Sequence, residues 1–503
     1  MRGEYLGLGR SDPIVKLDGT LGERRRVYLD SAATTLMARD IYDTLTRYLE
    51  TSCANSHTHA HRAGRATTHA IDKARLAVGS LVGYDPAIDS VLFSGNGATG
   101  ALNYLSRALF PPELRHYLKT KDPLGSVRQA SAFIEPRRLA RLLLLAERPL
   151  VVTTVMEHHS NLLPWVQAVG RANCRFVEVT DQGLLDLADL RRVLENEGSR
   201  VRLVTVAGVS NVTGVKNPIH EIAALAHAVG AELAVDAAQM GAHVPLALHA
   251  HGEAEAIDYV ALSGHKMYAP GSRGALVGKL SRAVGAQCVG DVGGGMVESV
   301  SIDDYVLKDD LTAREEAGTP NIPGTIGLGL AAARLLEAGL DQIEAHEAAI
   351  TEHALEALSS IEGVTVYGPS WTRERRAGVI SFNVQGLPHG LVAAFLNDSH
   401  AIAVRNECFC AHPYVKRLLG VTDAEEARYL SEMAEGERRN VPGMVRASFG
   451  MYSLLDDVQA LVDGLRELTR ERERVALAYR SLPNGDYVRV DAPHELDLPP
   501  VFS

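Results

Sequence analysis

Ser263-Gly264-His265-Lys266-Met267-Tyr268-Ala269-Pro270 follows the apolar run Tyr259-Val260-Ala261-Leu262, which places a lysine just past the end of a strand of buried composition. An ammonium there is costly unless it is neutralised, paired or used covalently, and a bond to an aldehyde cofactor achieves the last. Lys266 is the candidate for that bond. A lysine after a strand is more commonly a solvated loop residue, so the weight falls on the elements around it.

From about 90 to 280, short apolar runs alternate with helical patterns, the signature of a mostly parallel sheet with helices on its faces. The strand candidates are 90–93, 150–155, 175–179, 202–207, 232–235, 258–262 and 274–277. In such sheets ligands collect beyond the carboxyl ends of the strands. The first such end is Ser94-Gly95-Asn96-Gly97-Ala98-Thr99-Gly100, a small-residue turn into a helix whose free amides suit an anion. Its spacing fits neither a Walker loop nor a dinucleotide fingerprint. Next comes Met156-Glu157-His158-His159-Ser160-Asn161, with a histidine able to lie flat on an aromatic ring and trade protons near neutral pH. Val209-Ser210-Asn211-Val212-Thr213-Gly214 follows another strand. Ala234-Val235-Asp236-Ala237-Ala238-Gln239 then ends an apolar strand in one carboxylate, the partner a cationic pyridinium nitrogen needs. Singly, each could be a cap or turn residue; in this order before Lys266 they point to one site.

At 503 residues the chain is long enough for two domains. A composition of 46% apolar and 22% charged residues is that of a soluble globular protein. The net charge of −11 argues against a general nucleic-acid surface. Five cysteines, odd in number and without CxxC spacing, disfavour a zinc site and suit a reducing, cytoplasmic setting. No apolar signal core or run of membrane-spanning length is read. His57, His59 and His61 alternate in a polar loop, but without carboxylate or cysteine companions no metal is assigned to them.

Residues 1–26 are Gly- and Arg-rich without periodicity and read as an arm; helices are expected at 38–51 and 63–83. After about 310 come a helical connector at 326–361, strands near 363–367, 377–383 and 401–405, and further helices. The expected division is an N-terminal arm packing with the small domain (1–37), a large cofactor-binding domain (38–310), a small C-terminal domain (311–475) and a poorly packed tail (476–503).

Taken together, LDSAAT, GAT in the small-residue turn, MEHHSNLLPW, VSNVTG, VDAAQ, SGHKMYAPG, GGGM, EAGTPN, VRNECFCAHP and VRASFGMYS resemble the class V, fold-type I enzymes that use pyridoxal 5′-phosphate. Within them the chain is similar to the SufS-like cysteine desulfurases and selenocysteine lyases. The resemblance covers most of residues 27–472. It implies an α/β fold with a large, mostly parallel seven-stranded sheet domain and a smaller α/β domain. It also implies that Lys266 holds the cofactor, His158 stacks on its ring and Asp236 pairs with its ring nitrogen. Gln239 and Asn211 would lie near the ring hydroxyl or the substrate. Thr99 with the Ala98 amide, Ser263 and His265 would hold the phosphate, and Thr319 would reach it from a neighbouring subunit of a homodimer.

Counting from Arg405, Cys410 rather than Cys408 falls on the persulfide-forming position, and Arg446 matches the clamp for the substrate carboxylate, with Ala32 beside the substrate. The implied reaction converts L-cysteine to L-alanine and leaves sulfur on Cys410, for a possible sulfur-acceptor protein. Rival readings are a lyase that eliminates sulfide or selenium directly from cysteine, cystine or selenocysteine, an epimerase or aminotransferase on the same fold, and a non-catalytic scaffold. Departures from the pattern are also present: RTGHHCA is RNECFCA here, Gly100 stands where many relatives have Glu, and 111–149 and 423–439 look inserted and are expected as solvated excursions.

Overall fold

The computed structural model describes residues 2–130, 136–249, 252–285 and 288–490. Seven strands form the main sheet: β1 (Ser90–Ser94), β2 (Leu150–Thr154), β3 (Cys174–Val177), β4 (Val201–Ala207), β5 (Glu232–Asp236), β6 (Tyr259–Ser263) and β7 (Gly274–Gly278), in the order β1-β7-β6-β5-β4-β2-β3. All seven coincide with the runs read from the sequence. Neighbours from β6 across to β3 pair in parallel, and β7 runs antiparallel to both β6 and β1. Every residue of β2, β5, β6 and β7 is buried, because helices cover both faces.

Successive side chains enter opposite cores. Val151, Leu203 and Ala234 pack with Ala101, Leu102 and Leu105 of α1 (Gly97–Leu109), whereas Val152, Val204 and Val235 pack with Val78, Leu328 and Leu335 on the other side. Each fully buried Val or Leu adds roughly 1.5–3 kcal/mol relative to exposure. Because both faces are filled, the polar strand ends are the places left for a ligand.

The expected single connector is two helices, α2 (Ile322–Ala338) and α3 (Leu340–Ser359), broken at Gly339, whose φ of 77° stops the first. They lead to a four-stranded antiparallel sheet of β8 (Val364–Val366), β9 (Val379–Val384), β10 (Arg405–Glu407) and β11 (Met444–Ser448), in the order β8-β9-β11-β10. Val27 and Tyr28 pair in parallel with Ile402 and Ala403, and Asp30 bridges to Ser448. The beginning of the chain is thereby tied to the second sheet.

Three regions differ from expectation. Residues 11–25 form an antiparallel hairpin (Ser11–Val15 with Leu21–Arg25), closed by a turn in which Asp18 accepts from the Thr20 amide and sealed by buried Ile14 and Val15. The segment after Val475 is packed as far as residue 490: Tyr479 joins the core formed by Ile380, Phe382, Val445 and Ala447 of the four-stranded sheet, and Arg489, buried in a short hairpin, donates to Val15 O at 3.0 Å. The rest of the expected tail, with Pro499 and Pro500, lies outside the described residues. The two inserted segments are packed as well. Leu114 and Leu142 of the first enter the main core, while its residues 131–135 lie outside the described ones. The second forms α5 (Asp423–Ala434), opened by a Thr422–Glu425 capping box and anchored by buried Tyr429, with α4 (His412–Leu419) before it. Among the described residues no helix is long and apolar enough to cross a membrane.

Candidate active site

The strand ends converge on one cavity of about 220 Å³. It is lined by Ala98 and Thr99 from the turn after β1, His158 and Ser160 after β2, and Asn211 after β4. Asp236 and Gln239 after β5, and Ser263, His265 and Lys266 after β6, complete the main-sheet side. Ala32, Arg405, Phe409, Cys410 and Arg446 close it from the second sheet and the segment paired with it. Of the residues expected in a site, only Thr319 lies outside this cavity; it is exposed, and its hydroxyl accepts from Asn55 Nδ2 at 3.2 Å. His57, His59 and His61 lie apart from it, and His61 instead caps a helix by accepting from the Gly64 amide.

Lys266 is fixed by the turn it occupies. The carbonyl of His265 accepts from the Thr34 hydroxyl at 2.8 Å and the Thr35 amide at 3.0 Å, and the Tyr268 amide donates to Thr35 Oγ1 at 2.7 Å. Burial pushes the Lys266 amine down to about 8, helped by the charge of Arg446 and opposed by Asp236, Asp30 and Cys410. A lysine so tuned is roughly one-tenth free amine at pH 7, against well under a thousandth at the ordinary value, and a nucleophile or base must be that amine.

The two ends of the cavity differ in chemistry. At one end, Gly97 has a φ of 61°, and a Cβ there would lie 2.7 Å from Ser263 Oγ; a Cβ on Gly274 would strike the Gly97 backbone. Only glycines allow this approach, which brings the Ala98 amide to Ser263 Oγ at 2.8 Å, beside the hydrogen-bonded Thr99 and Ser160 hydroxyls. These small donors sit at the N-terminus of α1, where an anion is favoured. At the other end, Asp236 is buried, its pKa raised by desolvation and partly restored by the Ala238 amide at 3.0 Å, and Gln239 Oε1 is buried without a partner. A group with a phosphate at one end, and a cationic ring nitrogen and further donors at the other, satisfies both. The residues present therefore fit pyridoxal 5′-phosphate.

His158 differs from its expected behaviour. Its Nδ1 accepts from the Ser160 amide at 3.1 Å, and burial, with Lys266 and Arg446 nearby, pushes it down to about 3. At physiological pH the ring is therefore neutral rather than a proton trader. Beneath it, Glu157 is fully buried and pushed up to about 8, accepting from Thr154 Oγ1 and Asn161 Nδ2, both at 2.6 Å.

The second-sheet side is cationic. Arg446 is buried, with Nη1 donating to Asn211 O at 2.9 Å and Nη2 to Asp30 Oδ1 at 3.2 Å, its Nε unpartnered and its guanidinium 4.8 Å above the Phe409 ring. Arg405 faces Asp30 at 3.7 Å from the rim. Asn211 Nδ2 in turn donates to Phe409 O at 2.8 Å. Cys410 is exposed to the cavity, whereas Cys408 is buried, donates to Pro442 O at 3.0 Å and is pushed up to about 12 by burial and Glu407. The sequence reading had not singled out Asp30, Ser160 or Phe409, although all three lie within or beside motifs already noted. Their polar or aromatic character next to a strand end or the cysteine pair was the available signal.

The sequence profile of the class-V aminotransferases matches residues 27–122 and 135–461. A probable cysteine desulfurase of Halalkalibacterium halodurans is 32% identical over 459 residues, covering 90% of this chain and 96% of that protein. A cysteine desulfurase of Yersinia pseudotuberculosis is 31% identical, covering 88% and 93%. Among solved structures, the apo cysteine desulfurase of Thermococcus onnurineus NA1 superposes with a TM-score of 0.69 at 29% identity, covering 88% of this chain and 95% of that one. The cysteine desulfurase CsdA of Escherichia coli gives 0.68 at 25% identity, covering 95% and 98%. The chain belongs to the class-V aminotransferase family, among its cysteine desulfurases.

Proposed function

We propose that the protein is a pyridoxal 5′-phosphate-dependent cysteine desulfurase that converts L-cysteine to L-alanine and carries the sulfur as a persulfide on Cys410. The supporting observation is that Lys266, Asp236, Arg446 and Cys410 line one cavity, although they come from different strands and both sheets. Bound there, the cofactor supplies an electron-withdrawing ring that acidifies the substrate Cα proton. Arg446 receives the substrate carboxylate, a task for which a buried guanidinium with an unpartnered Nε is suited. Lys266 Nζ, whose ammonium is made easier to deprotonate by burial, takes the Cα proton as the free amine. Asp236 would pair with the cofactor's ring nitrogen and hold a proton there, and neutral His158 would shield the ring from water. Cys410 Sγ then attacks the substrate sulfur; an S–S bond forms, the substrate Cβ–S bond breaks, and its electron pair stays with the carbon that becomes the alanine methyl group. The net exchange is cysteine plus the Cys410 thiol giving alanine plus the Cys410 persulfide.

A homodimer belongs to this reading. Thr319 is exposed and outside its own chain's cavity, and Val300, Ile302 and Val306 are exposed on the hairpin Val297–Val300/Tyr305–Leu307, an apolar surface of the kind a second copy covers. A reducing cytoplasm, which keeps Cys410 a free thiol, and a protein sulfur acceptor complete it. Product analysis with L-cysteine tests the proposal: alanine and enzyme-bound sulfur in equal amounts are expected, whereas pyruvate with ammonia would mean direct elimination.

A further inference from the structure

Glu407, Phe409 and Cys410 hold φ values of 90°, 52° and 55°. Side chains disfavour that region, so the turn persists only while its surroundings hold it. Asn211 holds the Phe409 carbonyl and Arg438 Nη2 donates to Glu407 Oε1 at 2.6 Å, but the cysteine itself is held from His159. The His159 amide donates to Cys410 O at 2.7 Å. The same residue's ring Nε2 stands 3.0 Å from Nδ1 of His412, the rings near parallel with centroids 4.8 Å apart. His412 begins α4, whose N-cap residue Ala411 makes no side-chain capping bond. One residue of the main sheet's loops thus grips the turn at two points, by backbone at Cys410 and by side chain at His412.

We propose that His412 is a positioning residue for the nucleophile: its imidazole–imidazole hydrogen bond to His159 closes a clamp that keeps Cys410 turned into the cavity. One ring donates and the other accepts, so the bond needs one proton between the two facing nitrogens. No contact between His412 and the thiol is invoked; the residue acts through His159 and the backbone. The role rests on Cys410 being the sulfur-accepting cysteine, but the clamp itself is measurable without that chemistry.

The experiment compares wild type, His412→Ala and His412→Gln as holoenzymes, by amide hydrogen exchange over residues 408–411 and by kcat and KM for L-cysteine. Loss of one hydrogen bond of ordinary net strength corresponds to about fivefold. His412→Ala is expected to exchange about fivefold faster at the turn and to lose about fivefold in kcat with KM unchanged. His412→Gln, whose amide N–H can still donate to His159 Nε2, is expected to recover both. Wild-type exchange in His412→Ala, failure of the glutamine to rescue, or faster exchange spread through β9 and β11 as well would each overturn the proposal. Repeating the exchange in a Cys410→Ser background separates the two claims: faster turn exchange there supports the clamp even where activity assigns the nucleophile elsewhere, and unchanged exchange refutes it.

Discussion

Replacing each of the two loop thiols by a hydroxyl separates residues only two positions apart. Cys408 is 2% exposed, gives its proton to Pro442 O at 3.0 Å, and is pushed up to about 12 because a thiolate there would lose its solvation beside Glu407. At pH 8 such a thiol is ionised to about one part in ten thousand, and only the thiolate is nucleophilic. Cys410 is exposed to the cavity and open to a reagent. Iodoacetamide at pH 8 should therefore label Cys410 at least about a hundredfold faster than Cys408, read by peptide mass spectrometry. Cys408→Ser should keep alanine formation within about threefold, since a serine hydroxyl can make the same bond to Pro442 O. Cys410→Ser should lose roughly a thousandfold or more, the order seen when a nucleophile is removed. Faster labelling of Cys408, or turnover lost in Cys408→Ser and kept in Cys410→Ser, would refute the reasoning.

Lys266→Met should stabilise the cofactor-free protein. The amine's pKa falls from 10.5 to about 8 on folding, so the buried ammonium costs about 3 kcal/mol at pH 7, a cost that disappears above about pH 10.5; urea melts of the two apoproteins across that range check both sign and window. Arg446→Lys keeps the charge but cannot hold Asn211 O, Asp30 and a substrate carboxylate together, so kcat/KM for cysteine should fall by about tenfold or more; a loss under about twofold contradicts the clamp. Glu157, raised from 4.5 to about 8, contributes stability that is fully present below pH 4.5 and is lost as pH rises through 8. The melting temperature of Glu157→Gln relative to wild type should therefore climb between pH 5 and pH 9, and a flat difference would show that Glu157 is not protonated in the fold.

The main sheet was legible because its strands are buried on both faces and end in polar residues, so each apolar run and its punctuation coincide: Tyr259–Leu262 stops at Ser263 and Glu232–Val235 at Asp236. The N-terminal hairpin was not, because Gly22, Glu23, Arg24 and Arg25 carry no period-two pattern and only Ile14 and Val15 are buried. The strand at Arg446 was legible but its pairing was not, since α4 and the inserted α5 separate β11 from its partner strand carrying Arg405. The site residues at strand ends followed from position in the chain, and their protonation did not. His158 reads as a neutral-pH titrator until its burial against Lys266 and Arg446 is seen, and Glu157 reads as an ordinary carboxylate until Thr154, Asn161 and full burial surround it. The clamp on Cys410 depends on contacts between residues 159 and 412, which no local pattern reveals.

The central claim is that the cofactor is held on Lys266, in the cavity that also contains Cys410. Borohydride reduction of the protein supplied with pyridoxal 5′-phosphate, followed by peptide mass spectrometry, tests it most directly. The account predicts the mass of the reduced cofactor on the peptide carrying Lys266 and on no other lysine; an unmodified Lys266 peptide, or the label on a different lysine, would contradict it.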